Sequence, residues 1–182
     1  MEANQPSWPT RWLMTDERIG ERLWEAIDRL PPGAGIVFRH YSLAEGERRQ
    51  LGRQVAEQAR QRELVLAIAG CRHLADELGA AIVHRPDRPG KLPCSMAVHD
   101  ARQAQAAREE GAVLAFVAPV FATRSHPATS ALGPDQAVML ARKIQCPAIA
   151  LGGMDEERFR ALDAGYPGAF HGFAGIDCWL RT

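Results

Sequence analysis

Three stretches of this chain carry an apolar run into residues that can do chemistry. They are Val117 to His126 (VAPVFATRSH), Leu151-Gly152-Gly153-Met154, and His171-Gly172-Phe173-Ala174-Gly175. Threonine and serine hydroxyls and an imidazole can donate hydrogen bonds to an anionic oxygen. A glycine lets a ligand approach the backbone amides, because there is no Cβ in the way. The pattern predicts a phosphate cup made by Gly152, Gly153 and Gly172, with Phe173 beside it and Thr123, Ser125 and His126 facing it. Glycine turns on consecutive late strands are where parallel barrels commonly hold a phosphate.

Such a cup needs strands to carry it. Short apolar runs at 12–14, 35–38, 64–69, 81–83, 95–98, 114–117, 148–151 and 169–170 read as strands covered on both faces. Amphipathic segments alternate with them, at 19–30, 45–60, 101–110 and 135–144, and Asp155-Glu156-Glu157 opens another. Eight strands alternating with helices predict a short, single-domain (β/α)8 TIM barrel over residues 11–182. Residues 1–10 read as a loose arm. The segment 85–93 (RPDRPGKLP) holds three prolines and is not expected to form a full helix.

The carboxyl end of each predicted strand then shows what the barrel offers a ligand. In order these are Thr15-Asp16, Arg39-His40-Tyr41, Gly70-Cys71-Arg72, His84-Arg85, His99-Asp100, Thr123 to His126, Gly152-Gly153 and His171-Gly172. All six histidines except His73 fall on this predicted rim. A rim of His and Arg suits an anionic ligand and proton transfer near neutral pH. His99 is the candidate acid/base and Arg39 the candidate anion contact. The alternative for His99 is a structural imidazole bonded to a loop carbonyl. There is no H-x-H or H-x-x-x-H pair, so a histidine metal site is not expected.

Lys+Arg and Asp+Glu balance at 22 each, so no global field favours nucleic acid or an anionic membrane. No apolar run is long enough to span a bilayer. The first residues lack a secretory pattern, and the four cysteines are widely spaced with no C-x-x-C. These features predict a cytoplasmic protein with reduced thiols, and they leave open whether it forms a homo-oligomer.

The order and spacing of several motifs resemble the thiamine phosphate synthase / TenI family, with residues 98–175 the densest part. The family loop Gly-Pro-[Val/Ile]-Phe-Pro-Thr-x-[Ser/Thr]-Lys is similar to Ala118-Pro119-Val120-Phe121-Ala122-Thr123-Arg124-Ser125-His126. Its Gly-Gly strand end resembles Ala150-Leu151-Gly152-Gly153-Met154, and its Ala-Gly-x-x-Gly resembles Ala164-Gly165-Tyr166-Pro167-Gly168. His99 matches the histidine that ends the family's fifth strand, and His84 the one that ends its fourth.

The resemblance implies a (β/α)8 barrel whose substrates are a phosphorylated thiazole and a pyrimidine pyrophosphate. In the synthase these are joined with release of pyrophosphate, with cationic side chains and Mg²⁺ serving the leaving group. This chain departs from the family in that half of the site. The family's Gln-x-Arg-x-Lys aligns with Val37-Phe38-Arg39-His40-Tyr41, which keeps only the Arg. Its metal-binding Asn-Asp aligns with Ala69-Gly70, and Asp87 can replace the second carboxylate only if the loop is re-spaced. Mg²⁺ is therefore expected to matter less than in typical relatives. Three functions stay open: a synthase with a remodelled pyrophosphate site, a TenI-like thiazole phosphate tautomerase using His99, and a non-catalytic barrel that binds a phosphorylated ligand.

Overall fold

The structure, a computed structural model, describes residues 8–123 and 130–180. Eight parallel strands close into a barrel in sequence order. They are β1 (Arg11–Met14), β2 (Gly35–Phe38), β3 (Val65–Ala69), β4 (Ile82–His84), β5 (Cys94–Val98), β6 (Leu114–Val117), β7 (Ala148–Leu151) and β8 (Gly172–Gly175). Among the described residues six helices surround them: α1 (Arg22–Asp28), α2 (Glu45–Gln61), α3 (Arg72–Leu78), α4 (Ala101–Glu109), α5 (Pro134–Ala141) and α6 (Glu156–Gly165). The expected single-domain (β/α)8 barrel is thus what forms. No helix joins β4 to β5, as the three prolines of that connection require.

Strand pleating sorts the apolar residues into two layers. Alternate residues point inward and fill the barrel with Trp12, Met14, Val37, Ala67, Ala69, Ile82, Leu114, Phe116, Ile149 and Ala174. Trp12 meets Phe116 edge to face, with ring centroids 5.6 Å apart. The strand residues between them, such as Leu13, Ile36, Phe38, Ile68, Val117 and Ala150, point outward and bury the inner faces of the helices. Gly35 makes room for the indole of Trp12, since a Cβ there would lie 2.2 Å from the ring.

The eighth strand is not where the apolar pair at 169–170 placed it. Gly168 turns the chain at φ +70°, and the ladder begins only at His171, whose N–H bonds Ala148 O at 2.8 Å. Two glycines in four residues give β8 a weak sequence signal. The barrel needs one of them at its base, because a Cβ on Gly172 would fall 1.9 Å from Thr10 O. Of the expected arm, only residues 8–10 are described. Thr10 O accepts from Phe173 N at 2.9 Å, Pro9 O accepts from Trp12 Nε1 at 2.7 Å, and Trp8 packs against the barrel interior.

Candidate active site

At the carboxyl ends of the strands the barrel opens into a cavity of about 500 Å³. Its wall is apolar where Met14, Ala97, Ala118, Pro119, Leu151 and Ile176 meet, and cationic or protonatable where Arg39, His84, Arg85 and His99 enter. Among the described residues no carboxylate lines it. Inward-pointing positions of β1, β4, β5 and β7 supply Met14, His84, Ala97 and Leu151, so the same pleat that fills the core also builds the mouth.

His99 follows β5 directly and lies in this wall. Its Nδ1 is 2.7 Å from Ala118 O. A carbonyl only accepts, so Nδ1 must carry the proton, and in the neutral ring Nε2 is left with its lone pair. The structural alternative raised for this residue is therefore present, and among the described residues its second nitrogen has no hydrogen-bond partner. His84 lies deeper. Its Nδ1 is 3.1 Å from Ser95 Oγ, and its ring meets Phe116 edge to face at 5.2 Å. Burial, assisted by the positive charge of Arg85 and Arg39, pushes its pKa down to about 3, so it is a neutral imidazole.

Arg39 follows β2 and is pinned along its length. Its N–H donates to Thr15 Oγ1 at 2.9 Å, Nε to Thr15 O at 2.7 Å, and Nη2 to Asp16 Oδ2 at 3.1 Å. Tyr41 is 56% exposed at the same edge, with the Arg48 guanidinium 5.6 Å from its ring centre. Arg48 is itself fixed to Arg39 O and Ala69 O.

A second recess of about 450 Å³ adjoins the mouth and shares Thr123, Leu151, Gly152 and Ile176 with it. Gly152, Gly153 and Gly175 form its floor, and Arg18 and Arg158 stand at its side with Asp155 and Asp177. Among the described residues neither the Gly152 nor the Gly153 amide donates a hydrogen bond. Both glycines have positive φ, +95° and +61°, and a Cβ on either would strike the β6–α5 loop at Pro119 or Ala122. Cys178 also borders the recess, but burial pushes its thiol up to about 12, so it is not a nucleophile there.

Of the residues singled out from sequence, the structure brings Arg39, His99, Thr123, Gly152 and Gly153 together. Ser125 and His126 lie outside the described residues. Gly172 and Phe173 are corrections. Gly172 begins β8 at the base of the barrel, and Phe173 points outward to stack on Trp179, 5.9 Å away, and to contact Phe159. His171 is likewise at the base, where its Nε2 bonds Trp8 O. The glycine that ends β8 at the mouth is Gly175. Sequence reasoning passed over Arg18 and Arg158, whose approach to the recess depends on tertiary packing.

Asp87 does not face the mouth. Its Oδ1 accepts from Arg72 N at 3.2 Å, so its carboxylate serves the start of α3. Among the described residues no group of three His, Cys, Asp or Glu side chains could hold a metal ion. Among the described residues, the lining of the mouth holds no carboxylate that would offer a hard cation an anionic oxygen.

Fold and site together define a (β/α)8 barrel with a cation-walled cavity and a glycine-floored recess at its carboxyl face. The chain belongs to the thiamine monophosphate synthase family, whose model matches residues 13–168. A relative named "Putative thiamine-phosphate synthase 2", from Aquifex aeolicus (strain VF5), is 26% identical over 188 residues, spanning 95% of this chain and 98% of its own. Among solved structures, a thiamine phosphate pyrophosphorylase from Pyrococcus furiosus superposes with a TM-score of 0.77 at 17% identity, over 94% of this chain and 87% of that one. The YdjI aldolase from Escherichia coli K12 gives 0.60 at 12% identity, over 93% and 76%. At these identities the two structural likenesses speak for the fold.

Proposed function

We propose that the chain is a thiamine phosphate synthase-type transferase, joining hydroxymethylpyrimidine pyrophosphate to a thiazole phosphate. The observation that carries this is the pair of joined cavities, one walled by Arg39, Arg85 and two histidines, the other floored by glycines beside Arg18 and Arg158. Two anionic substrates must meet there, and each recess suits one of them. The thiazole phosphate sits on the Gly152 and Gly153 amides, and the pyrimidine pyrophosphate fills the mouth against Met14, Leu151 and Ile176.

The reaction then needs one bond broken and one formed. The bond from the pyrimidine methylene to the pyrophosphate oxygen breaks, and its electron pair leaves with the pyrophosphate. The lone pair of the thiazole nitrogen forms the new carbon–nitrogen bond. No oxidant or reductant is required. Positive charge fixed around the leaving oxygens lowers the barrier, because it is already oriented where negative charge develops. His99 in its protonated form donates from Nε2 to the leaving pyrophosphate, while Ala118 O holds the other N–H.

Family membership supports this reading, and so does the match of the Aquifex relative over nearly the whole of both chains. Among the described residues no helix is long and apolar enough to cross a membrane. A direct test is to express the gene in a bacterial strain lacking its own synthase. Growth without thiamine is the expected result. Failure of well-expressed protein to restore growth, with isomerisation of a thiazole phosphate carboxylate in its place, would move the assignment to a tautomerase.

A further inference from the structure

Arg85 stands out among the cations of the mouth. It directly follows β4, lies in the cavity wall and is exposed. Among the described residues, the neighbouring guanidiniums at this face are committed to the protein. Arg39 binds Thr15 O and Asp16, Arg18 binds Asp177, Arg48 binds two carbonyls, and Arg158 binds Gly153 O. Among the described residues the Arg85 side chain has no hydrogen bond, ion pair or ring contact, and only its backbone N–H is used, on Ser95 O at 2.8 Å.

The backbone at Arg85 is also unusual. It has φ +48°, in the left-handed region that disfavours a side chain, and it precedes Pro86. Glycine would satisfy that conformation without strain. A residue kept strained, unpaired and charged in the wall of a cavity is one whose partner arrives from outside. That partner is anionic, since the described wall has two arginines and no carboxylate.

We infer that Arg85 receives the departing pyrophosphate, so that a guanidinium neutralises the leaving group at a mouth whose described lining holds no carboxylate. The inference rests on the transferase reading for the identity of the anion. The planar fork of Arg85 can hold two pyrophosphate oxygens at once, which an ammonium cannot. The positive charge that a divalent ion would bring to leaving oxygens is then supplied by Arg85 on one side and Arg39 on the other.

The test is calorimetric titration of inorganic pyrophosphate into the whole protein in EDTA, for wild type, Arg85→Lys, Arg85→Gln and Arg85→Gly, alongside turnover of both substrates. Wild type should bind without metal. Gln and Gly should weaken binding by about tenfold or more, and Lys should recover only part of it. Arg85→Gly should melt at or above the wild-type temperature, because the strain is relieved, while still losing the anion. A role limited to structure would not separate stability from affinity in this way. Wild-type pyrophosphate affinity in Arg85→Gln or Arg85→Gly would overturn the inference, as would wild-type binding seen only with added Mg²⁺. If affinity falls as expected but no form of the protein makes thiamine phosphate, the Arg85 anion site stands and the transferase reading fails. If wild type makes it and Arg85→Gln is unaffected, the reverse holds.

Discussion

His99 has one nitrogen fixed and, among the described residues, the other without a hydrogen-bond partner, and that division decides what it can do. The Ala118 carbonyl, 2.7 Å from Nδ1, sets the tautomer and the ring plane, so Nε2 alone takes or gives a proton. His99→Asn should cut kcat about a hundredfold while changing thiazole phosphate affinity little, a split that steady-state kinetics and titration read separately. Wild-type turnover in a folded variant would contradict a proton-transfer role. The sequence was informative about His99 and Arg39 because both directly follow predicted strands, where a barrel presents its side chains. It placed Arg85 on the rim but left open whether its guanidinium is already paired, because that depends on what packs beside it. His84 was also legible on the rim, but its partner Ser95 was not, because it comes from the adjacent strand in the register that sets His84 opposite Ser95.

At the scale of elements, seven strands were legible as continuous apolar runs, and the proline-rich 85–93 connection was legible as non-helical. β8 was not, because its sequence Gly172-Phe173-Ala174-Gly175 has few residues that favour a strand. What makes it a strand is its place between β7 and β1, with Thr10 pressed against Gly172. Gly172→Ala should therefore destabilise the fold by about 2 kcal/mol, as overpacking a close contact does, and should leave ligand affinity intact in the folded fraction. Urea denaturation checks the first part and calorimetry the second. An unchanged midpoint with lost phosphate binding would return Gly172 to the ligand site. Gly153 is different, since its φ of +61° and the nearby Ala122 O tie it to the β6–α5 loop at the mouth. Gly153→Val should both lower stability and weaken binding of a thiazole phosphate, by about tenfold or more.

For the whole molecule, the buried histidines predict how stability follows pH. His84 has an ordinary pKa of 6.5 unfolded and about 3 folded, and burial lowers that of His40 as well. A histidine held neutral in the fold leaves stability complete above pH 6.5 and withdraws it as pH falls towards the folded value. For His84 the slope approaches about 1.4 kcal/mol per pH unit once the unfolded state is protonated. The ion-paired Glu77 and Glu156 have lowered pKa values, so their contribution is lost only below the usual carboxylate range. Between pH 6.5 and 4.5 the decline belongs mainly to the histidines. Denaturation midpoints that stay flat over that window would contradict a buried neutral His84.

The proposed transfer takes place at a mouth whose described wall has arginines and histidines and no carboxylate. Its most direct test is formation of thiamine phosphate by purified protein from hydroxymethylpyrimidine pyrophosphate and thiazole phosphate, assayed in EDTA and again with Mg²⁺. The predicted result is product, with one pyrophosphate released per thiamine phosphate, at a rate in EDTA within about tenfold of the rate with Mg²⁺. Absence of product under both conditions, from folded protein, would contradict the account.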